Sequence, residues 1–224
     1  MSDYVPEAPF LAQYGTESHR DKLVHHSDHH AGIAMAQHGT DAHRDKLVSH
    51  ESADVRRLVA SYGNDKHRDQ LINDPQVSVR ANVASYGNDK HRDQLVTDVS
   101  PIVRSTVADS GNTSHHDRLI NDMHNGVRAN VAFRGTDSHR DKLINDPHAS
   151  VRNAIAIYGN DKHRDILMHD KDEDVRASVV SYGNDKHVDA LKDDPNEYVS
   201  DRAKFRISRR YKHESVLSTV RKLV

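Results

Sequence analysis

The apolar residues of this chain are sparse but strictly placed. Between Asp74 and Leu95, Val79, Val83 and Tyr86 fall at i, i+4 and i+7, the spacing of one helical face. Asp74 and Pro75 ahead of them read as an N-cap and a proline suited to the first helical turn. Gly87 ends the run as a residue expected to take positive φ. A second, shorter helix follows over residues 88–96, capped by Asn88 or Asp89, with His91 and Leu95 facing inward. Its two turns are few enough for partly 3₁₀ geometry.

The same pattern returns along the chain. Residues 60–71 recur unchanged as residues 84–95, an offset of 24. Gly15, Gly39, Gly63, Gly87, Gly111, Gly135, Gly159 and Gly183 keep that spacing. Self-similarity at one fixed period marks units that cannot bury their apolar faces alone and must stack on neighbours. The first unit is abbreviated, its longer helix reduced to residues 10–14 behind a lead containing Pro6 and Pro9. After Asp194 and Pro195 the pattern decays: Arg206 and Ile207 stand at the turn and Tyr211 at the histidine position. Val216, Val220 and Leu223 then offer the one apolar face expected of a terminal cap. The expected organisation is a flexible lead over 1–9, one repeat array over 10–201 without a linker, and a basic capping segment over 202–224.

Composition alters this picture little. Apolar residues make up 35% and charged residues 29%, values that alone would suggest disorder. Their fixed placement points instead to a narrow repeat core. No run of 18 apolar residues is present, and the first residues lack the basic and apolar regions of a signal peptide. With no cysteine, disulfides, thiolate chemistry and Cys-ligated metals are excluded, so a cytoplasmic protein without cofactor is expected. Charge is uneven. From Arg202 onward Lys and Arg number eight against Glu214, so this end carries +7 and residues 1–201 carry −9 of the net −2.

The segment Asp-Pro-x-x-x-Val-Arg at 74–80 and 146–152 resembles the corner of HEAT-like repeats. The 24-residue period is similar to that of the leucine-rich repeat variant, an all-helical solenoid. The resemblance spans about residues 10–205. It implies an all-α, right-handed α-solenoid of about eight 24-residue helix–turn–helix repeats plus terminal caps. It also implies a binding scaffold. Nine layers at ~10 Å each would give a curved surface of roughly 80–90 Å. The variant family is associated with an iron–sulfur cluster on a Cys-bearing N-terminal segment, a feature this chain cannot carry.

Three polar rows run through the repeats. Histidine follows each turn glycine by four residues, at His19, His43, His67, His91, His115, His139, His163 and His187. Aspartate follows two later, at Asp21, Asp45, Asp69, Asp93, Asp117, Asp141, Asp165 and Asp189. The arginine between them gives way to His116 and Val188 in two units. A second arginine row comprises Arg56, Arg80, Arg104, Arg128, Arg152 and Arg176. His-Arg-Asp occurs in protein kinases, but no Asp-Phe-Gly accompanies it here, and eight copies of one active site have no chemical sense. A set of ligand sites for a repeating polymer is a second reading. The simplest is a structural ladder, with inward histidines bonded to carbonyls or carboxylates. Arg80-type side chains would then bridge carboxylates such as Asp74 or Asp98 between units. Protonation of neutral, buried imidazoles would loosen such an array.

Departures from the rows carry the candidate chemistry. His25, His26, His29 and His30 place two pairs four apart, a spacing that on one helix can grip Zn²⁺, Ni²⁺ or Cu²⁺. Tyrosine precedes the glycine at 14, 62, 86, 158 and 182, replaced elsewhere by His38, Ser110 and Arg134; packing is its simplest use. The corners vary, as at residues 51–54, 99–102, 123–126 and 171–174. Function is therefore expected in a non-enzymatic scaffold that binds another protein through its curved surface and these corners. The alternative is a nucleic-acid binder using the arginine rows and the basic end, with Arg134, Arg202, Lys204, Arg206, Arg209, Arg210 and Lys212 as contacts. Against it stand the acidic body and the lack of aromatic–basic interleaving.

Overall fold

The structure, a computed structural model, describes residues 6–26 and 28–221, with side chains described as far as residue 210. Among the described residues all regular structure is helical, in seventeen helices. Longer and shorter helices alternate. The longer set is α1 (Ala8–Tyr14), α3 (His29–His38), α5 (Ala53–Tyr62), α7 (Val77–Tyr86), α9 (Pro101–Ser110), α11 (Asn125–Arg134), α13 (Ala149–Tyr158) and α15 (Glu173–Tyr182). The shorter set is α2 (Glu17–Val24), α4 (Asp41–Leu47), α6 (Asp65–Leu71), α8 (Asp89–Leu95), α10 (Thr113–Leu119), α12 (Asp137–Leu143), α14 (Asp161–Leu167) and α16 (Asp185–Leu191). A single helix, α17 (Glu197–Arg221), ends the described chain. None of these helices is long and apolar enough to cross a membrane.

Two compact units divide the chain, Met1–Arg118 and Leu119–Val224. In the first, α1, α3, α5, α7 and α9 pack each on the next; in the second, α11, α13, α15 and α17 do so. The core is one column of positions. Val79, Val83 and Ala84 of α7 are fully buried, with Leu95 at the end of α8 and Val96 just past it also buried, and Val127, Val131, Ala132 and Leu143 repeat this in the second unit. Each buried Val or Leu contributes about 1.5–3 kcal/mol, so a single column can hold a repeat without a globular core.

Three sequence expectations need correction. Tyr86 does not join the face of Val79 and Val83. The tyrosines at 62, 86, 158 and 182 are 53, 55, 48 and 55% exposed. Position i+7 lies at the edge of the apolar stripe, and Ala84 fills the core there instead. Asp74 is not the N-cap of α7. Gln76 holds that position, and α7 starts two residues past Pro75, because the Asp74 carboxylate accepts the Gln76 N–H and binds Arg56. The turn glycines do not take positive φ either. Gly87 sits at φ −75°, ψ 176°, and Asn88 is extended too. Glycine is required there by space: a Cβ on Gly87 would lie 2.4 Å from the Val83 carbonyl oxygen and 2.9 Å from His91 Nδ1.

At the N-terminal end, α1 begins at Ala8, inside the stretch expected to be a lead. At the other end α17 runs through residues 206 and 207 without a break, since no glycine stands there. The apolar face read at Val216, Val220 and Leu223 lies outside the residues with described side chains.

Candidate functional site

Each histidine of the row is the third residue of a short helix and closes a capping box. The Asn88 N–H donates to His91 Nδ1 at 3.0 Å, and the His91 N–H donates to Asn88 Oδ1 at 3.3 Å. A backbone N–H can only donate, so Nδ1 carries the lone pair and the ring proton sits on Nε2. That Nε2–H faces the aspartate of the preceding repeat. His91 lies 3.1 Å from Asp69, His163 3.0 Å from Asp141 and His187 3.0 Å from Asp165. His67 and His115 stand 3.2 and 3.4 Å from Asp45 and Asp93 without hydrogen-bond geometry, and His43 stands 3.6 Å from Asp21. Thr40 and Thr136 replace asparagine in the boxes of His43 and His139. His19 is exposed where the other seven histidines are buried.

Two further sets of rungs escape sequence reasoning. The cap asparagine also reaches back one repeat: Asn64 donates to Asp41 at 2.9 Å, Asn88 to Asp65 at 2.8 Å and Asn160 to Asp137 at 2.9 Å. These amides are the leading cause that holds Asp41, Asp65, Asp137 and Asp161 below the usual carboxylate range. The arginine between histidine and aspartate folds back onto the longer helix. Arg68 Nε donates to the Ala60 carbonyl at 2.9 Å and Nη2 to that of Ser61 at 3.3 Å, satisfying carbonyls the helix end leaves open. Where the row carries His116, its Nε2 meets the Ala108 carbonyl at 2.9 Å.

The second arginine row ties corner to corner. Arg80 binds Asp98 through Nε at 2.7 Å and Nη2 at 3.0 Å, while Nη1 donates to the Asp74 carbonyl at 2.8 Å. Arg56–Asp74, Arg128–Asp146, Arg152–Asp170 and Arg176–Asp194 share this bidentate geometry, with Nε–O distances of 2.6–2.7 Å. Arg104 donates to the Asp98 carbonyl at 2.7 Å. Burial opposes the charge on Asp98, Asp146 and Asp170. The guanidinium bond, a backbone N–H and Coulomb attraction together outweigh it and hold all three low.

The first repeats break this row on both sides at once. Ala8 and Gly32 occupy the arginine positions, and His26 and His50 occupy the aspartate positions 18 residues on. A Cβ on Gly32 would stand 3.3 Å from His50 Nε2, so the imidazole fills space that a side chain at 32 would need. Burial pulls His50 below the ordinary histidine value, against Glu51, with Arg56 and His29 adding to the fall. The four-residue histidine spacing does not lie on one helix, because His25 ends α2 and His29 begins α3. Asp28, His29 and His30 come together instead, with candidate ligand atoms all within 4.8 Å.

Three of the five basic side chains described at this end, Arg202, Arg206 and Arg210, are turned onto the array. Arg206 donates to the carbonyls of Val180, Ser181 and Gly183, the place left open by Val188. Arg210 binds Asp189 at 2.9 Å and Asp185 at 3.2 Å. Arg202 bonds the hydroxyls of Ser181 and Tyr198, both at 2.8 Å. Lys204 and Arg209 are exposed, and Lys212 lies outside the described side chains.

Each unit leaves part of its surface to the variable residues. In the second unit Phe133 of α11 stacks on Tyr158 of α13, with centroids 4.2 Å apart, and Arg134 lies over the Phe133 ring at 4.2 Å. Tyr182, Tyr198 and Phe205 are exposed on α15 and α17, with Arg202 and Arg209 over Tyr198 and Phe205. In the first unit Tyr62, Tyr86, Val99 and Ile102 are exposed.

This geometry has a counterpart among solved structures. A leucine-rich repeat variant with a novel repetitive structural motif superposes with a TM-score of 0.68 at 23% identity, covering 88% of this chain and 80% of that one. The chain has the fold of a helical-repeat solenoid. A designed armadillo repeat protein, YIII(Dq)4CqI, aligns at 16% identity over 90% of this chain and 97% of its own, with a TM-score of only 0.24. No family model matches the chain, and no curated protein matches it.

Proposed function

We propose that the protein is a non-catalytic scaffold that binds a segment of a partner protein along the exposed faces of its longer helices and their variable corners. The aromatic–arginine surface of the second unit carries this reading. Tyr158, Tyr182 and Phe205 present exposed rings, Phe133 is half-buried beside Tyr158, and Arg134 and Arg202 add guanidinium groups; these residue types dominate binding energy at protein interfaces. The repeated polar rows contribute nothing to it, because their groups face one another. The corner residue Met123, in the same unit, adds exposed apolar area. Arg206 and Arg210 already hold carbonyls and carboxylates, which disfavours the nucleic-acid alternative.

Panning a peptide display library on the whole protein tests this. Enriched sequences should pair apolar with acidic residues, and their affinity should fall at least tenfold in Tyr158→Ser and Phe205→Ser variants with unchanged circular dichroism. Enrichment indifferent to both substitutions would overturn the reading. So would a salt-sensitive gel shift with RNA or DNA that disappears on deleting residues 202–224.

A further inference from the structure

We propose that Asp28, His29 and His30 form a binding site for a divalent transition-metal ion of the Zn²⁺, Ni²⁺, Cu²⁺ class at the start of α3. His30 Nδ1 lies 3.0 Å from Asp28 Oδ1 and His29 Nδ1 lies 3.9 Å from the same oxygen. A tetrahedral ion with ligands at about 2.0–2.1 Å separates its ligand atoms by roughly 3.3 Å, a spacing that lies between these two distances. The two imidazole rings already lie side by side, with centroids 3.9 Å apart. Both histidines are exposed, which leaves the open coordination positions to water or to a partner's side chain. Imidazole and carboxylate donors suit these ions rather than Mg²⁺ or Ca²⁺, which prefer oxygen alone.

A second observation sets this corner apart. Every later corner from Asp74 onward carries aspartate where this end has His26 and His50, and the matching arginine positions are Ala8 and Gly32. The ion pair that would bring a fixed cation into this corner is therefore missing on both sides, and imidazoles stand in its place. Asp28 is also the N-cap of α3, its Oδ1 accepting the His30 N–H at 3.1 Å, so the carboxylate is held in position before any ion arrives. The positive end of the helix dipole opposes a cation here, but it is a partial charge screened by solvent, set against two imidazoles and a full carboxylate.

Isothermal titration of the tag-free full chain with ZnCl₂ at pH 7.5 decides the matter. One site of micromolar or tighter affinity is expected. His29→Ala and His30→Ala should each weaken it at least tenfold. Asp28→Asn keeps the helix cap but removes the charged ligand, and should weaken it about fivefold or more. His25→Ala should leave it unchanged. Zinc should raise the melting temperature of the wild type and not that of the His29→Ala/His30→Ala double variant. No heat of binding in the wild type overturns the proposal, and so does equal zinc affinity and stoichiometry in the double variant. An equal loss on His25→Ala would also overturn it, by assigning the ion to different ligands.

Discussion

Arg128 shows what a single residue does in this fold. Its Nε and Nη2 grip the two oxygens of Asp146 at 2.6 and 2.9 Å, and Nη1 donates to the Asp122 carbonyl at 2.7 Å. One side chain thus ties two corners. Burial works against the Asp146 charge, but Arg128, the His148 N–H and the surrounding positive charge hold its carboxyl below the ordinary range. A lowered folded-state value means that stability is fully present above the unfolded aspartate value of about 3.9, and is lost as pH falls through the folded one. Asp146→Asn should therefore melt lower at pH 7, by about 3 kcal/mol in stability, because Arg128 is left half-matched in a buried corner. It should also show a shallower loss of melting temperature than the wild type as pH falls below about 4. Parallel acid profiles would show that this pair does not govern acid sensitivity. The pairing itself was legible in the sequence, since arginine and aspartate stand at fixed offsets in successive units. The asparagine rungs and the return of Arg68 to Ala60 were not, because a side chain's fold-back over eight residues depends on the turn geometry.

At the scale of the element, the glycine turn decides whether a repeat closes. Its position was evident from the 24-residue period, while its conformation was misread. Periodicity reveals that a residue is required but not whether φ or free space requires it. Here it is space. A Cβ on Gly87 would overlap the Val83 carbonyl at 2.4 Å, and that oxygen accepts the Gly87 N–H at 2.8 Å, so neither can withdraw without breaking the cap. Gly126 is a contrast within the same protein. It lies in the first turn of α11, where a Cβ would meet only the exposed His124 ring at 3.1 Å. Gly87→Ala should cost about 1–3 kcal/mol or more by overpacking. Gly126→Ala should be neutral or stabilise by up to about 1 kcal/mol through helix propensity. Chemical denaturation of the two variants checks the difference, and equal losses would contradict the steric account. The exposed tyrosines were misjudged for a related reason, since i+7 lies close to the apolar stripe without being in it.

Over the whole molecule, a repeat array must close its ladders where the pattern stops, as it does after Asp194. Past α16, the helix α17 stands where a further repeat would pack. Val199 and Ala203 of α17, which packs on α15 and α16, are buried, Arg210 takes the aspartates that a further histidine and asparagine would have met, and Arg206 caps the α15 carbonyls. That last role explains Val188, the unit's departure from arginine. An arginine at 188 and Arg206 would compete for the same carbonyls. A sign reversal follows. In the full chain Val188→Arg should destabilise, since a buried valine is lost and two guanidinium groups meet at one helix end. In a chain truncated after Asp194, which lacks Arg206, the truncation alone should lower the melting temperature and Val188→Arg should recover part of the loss. Arg206→Ala in the full chain gives the intermediate case, in which Val188→Arg should be stabilising. The melting temperatures of these variants form a double-mutant cycle with a coupling of about 0.5–3 kcal/mol. A Val188→Arg effect of the same sign and size with and without Arg206 would show that α17 covers the array's end by apolar contact alone, with no part in completing its ladder.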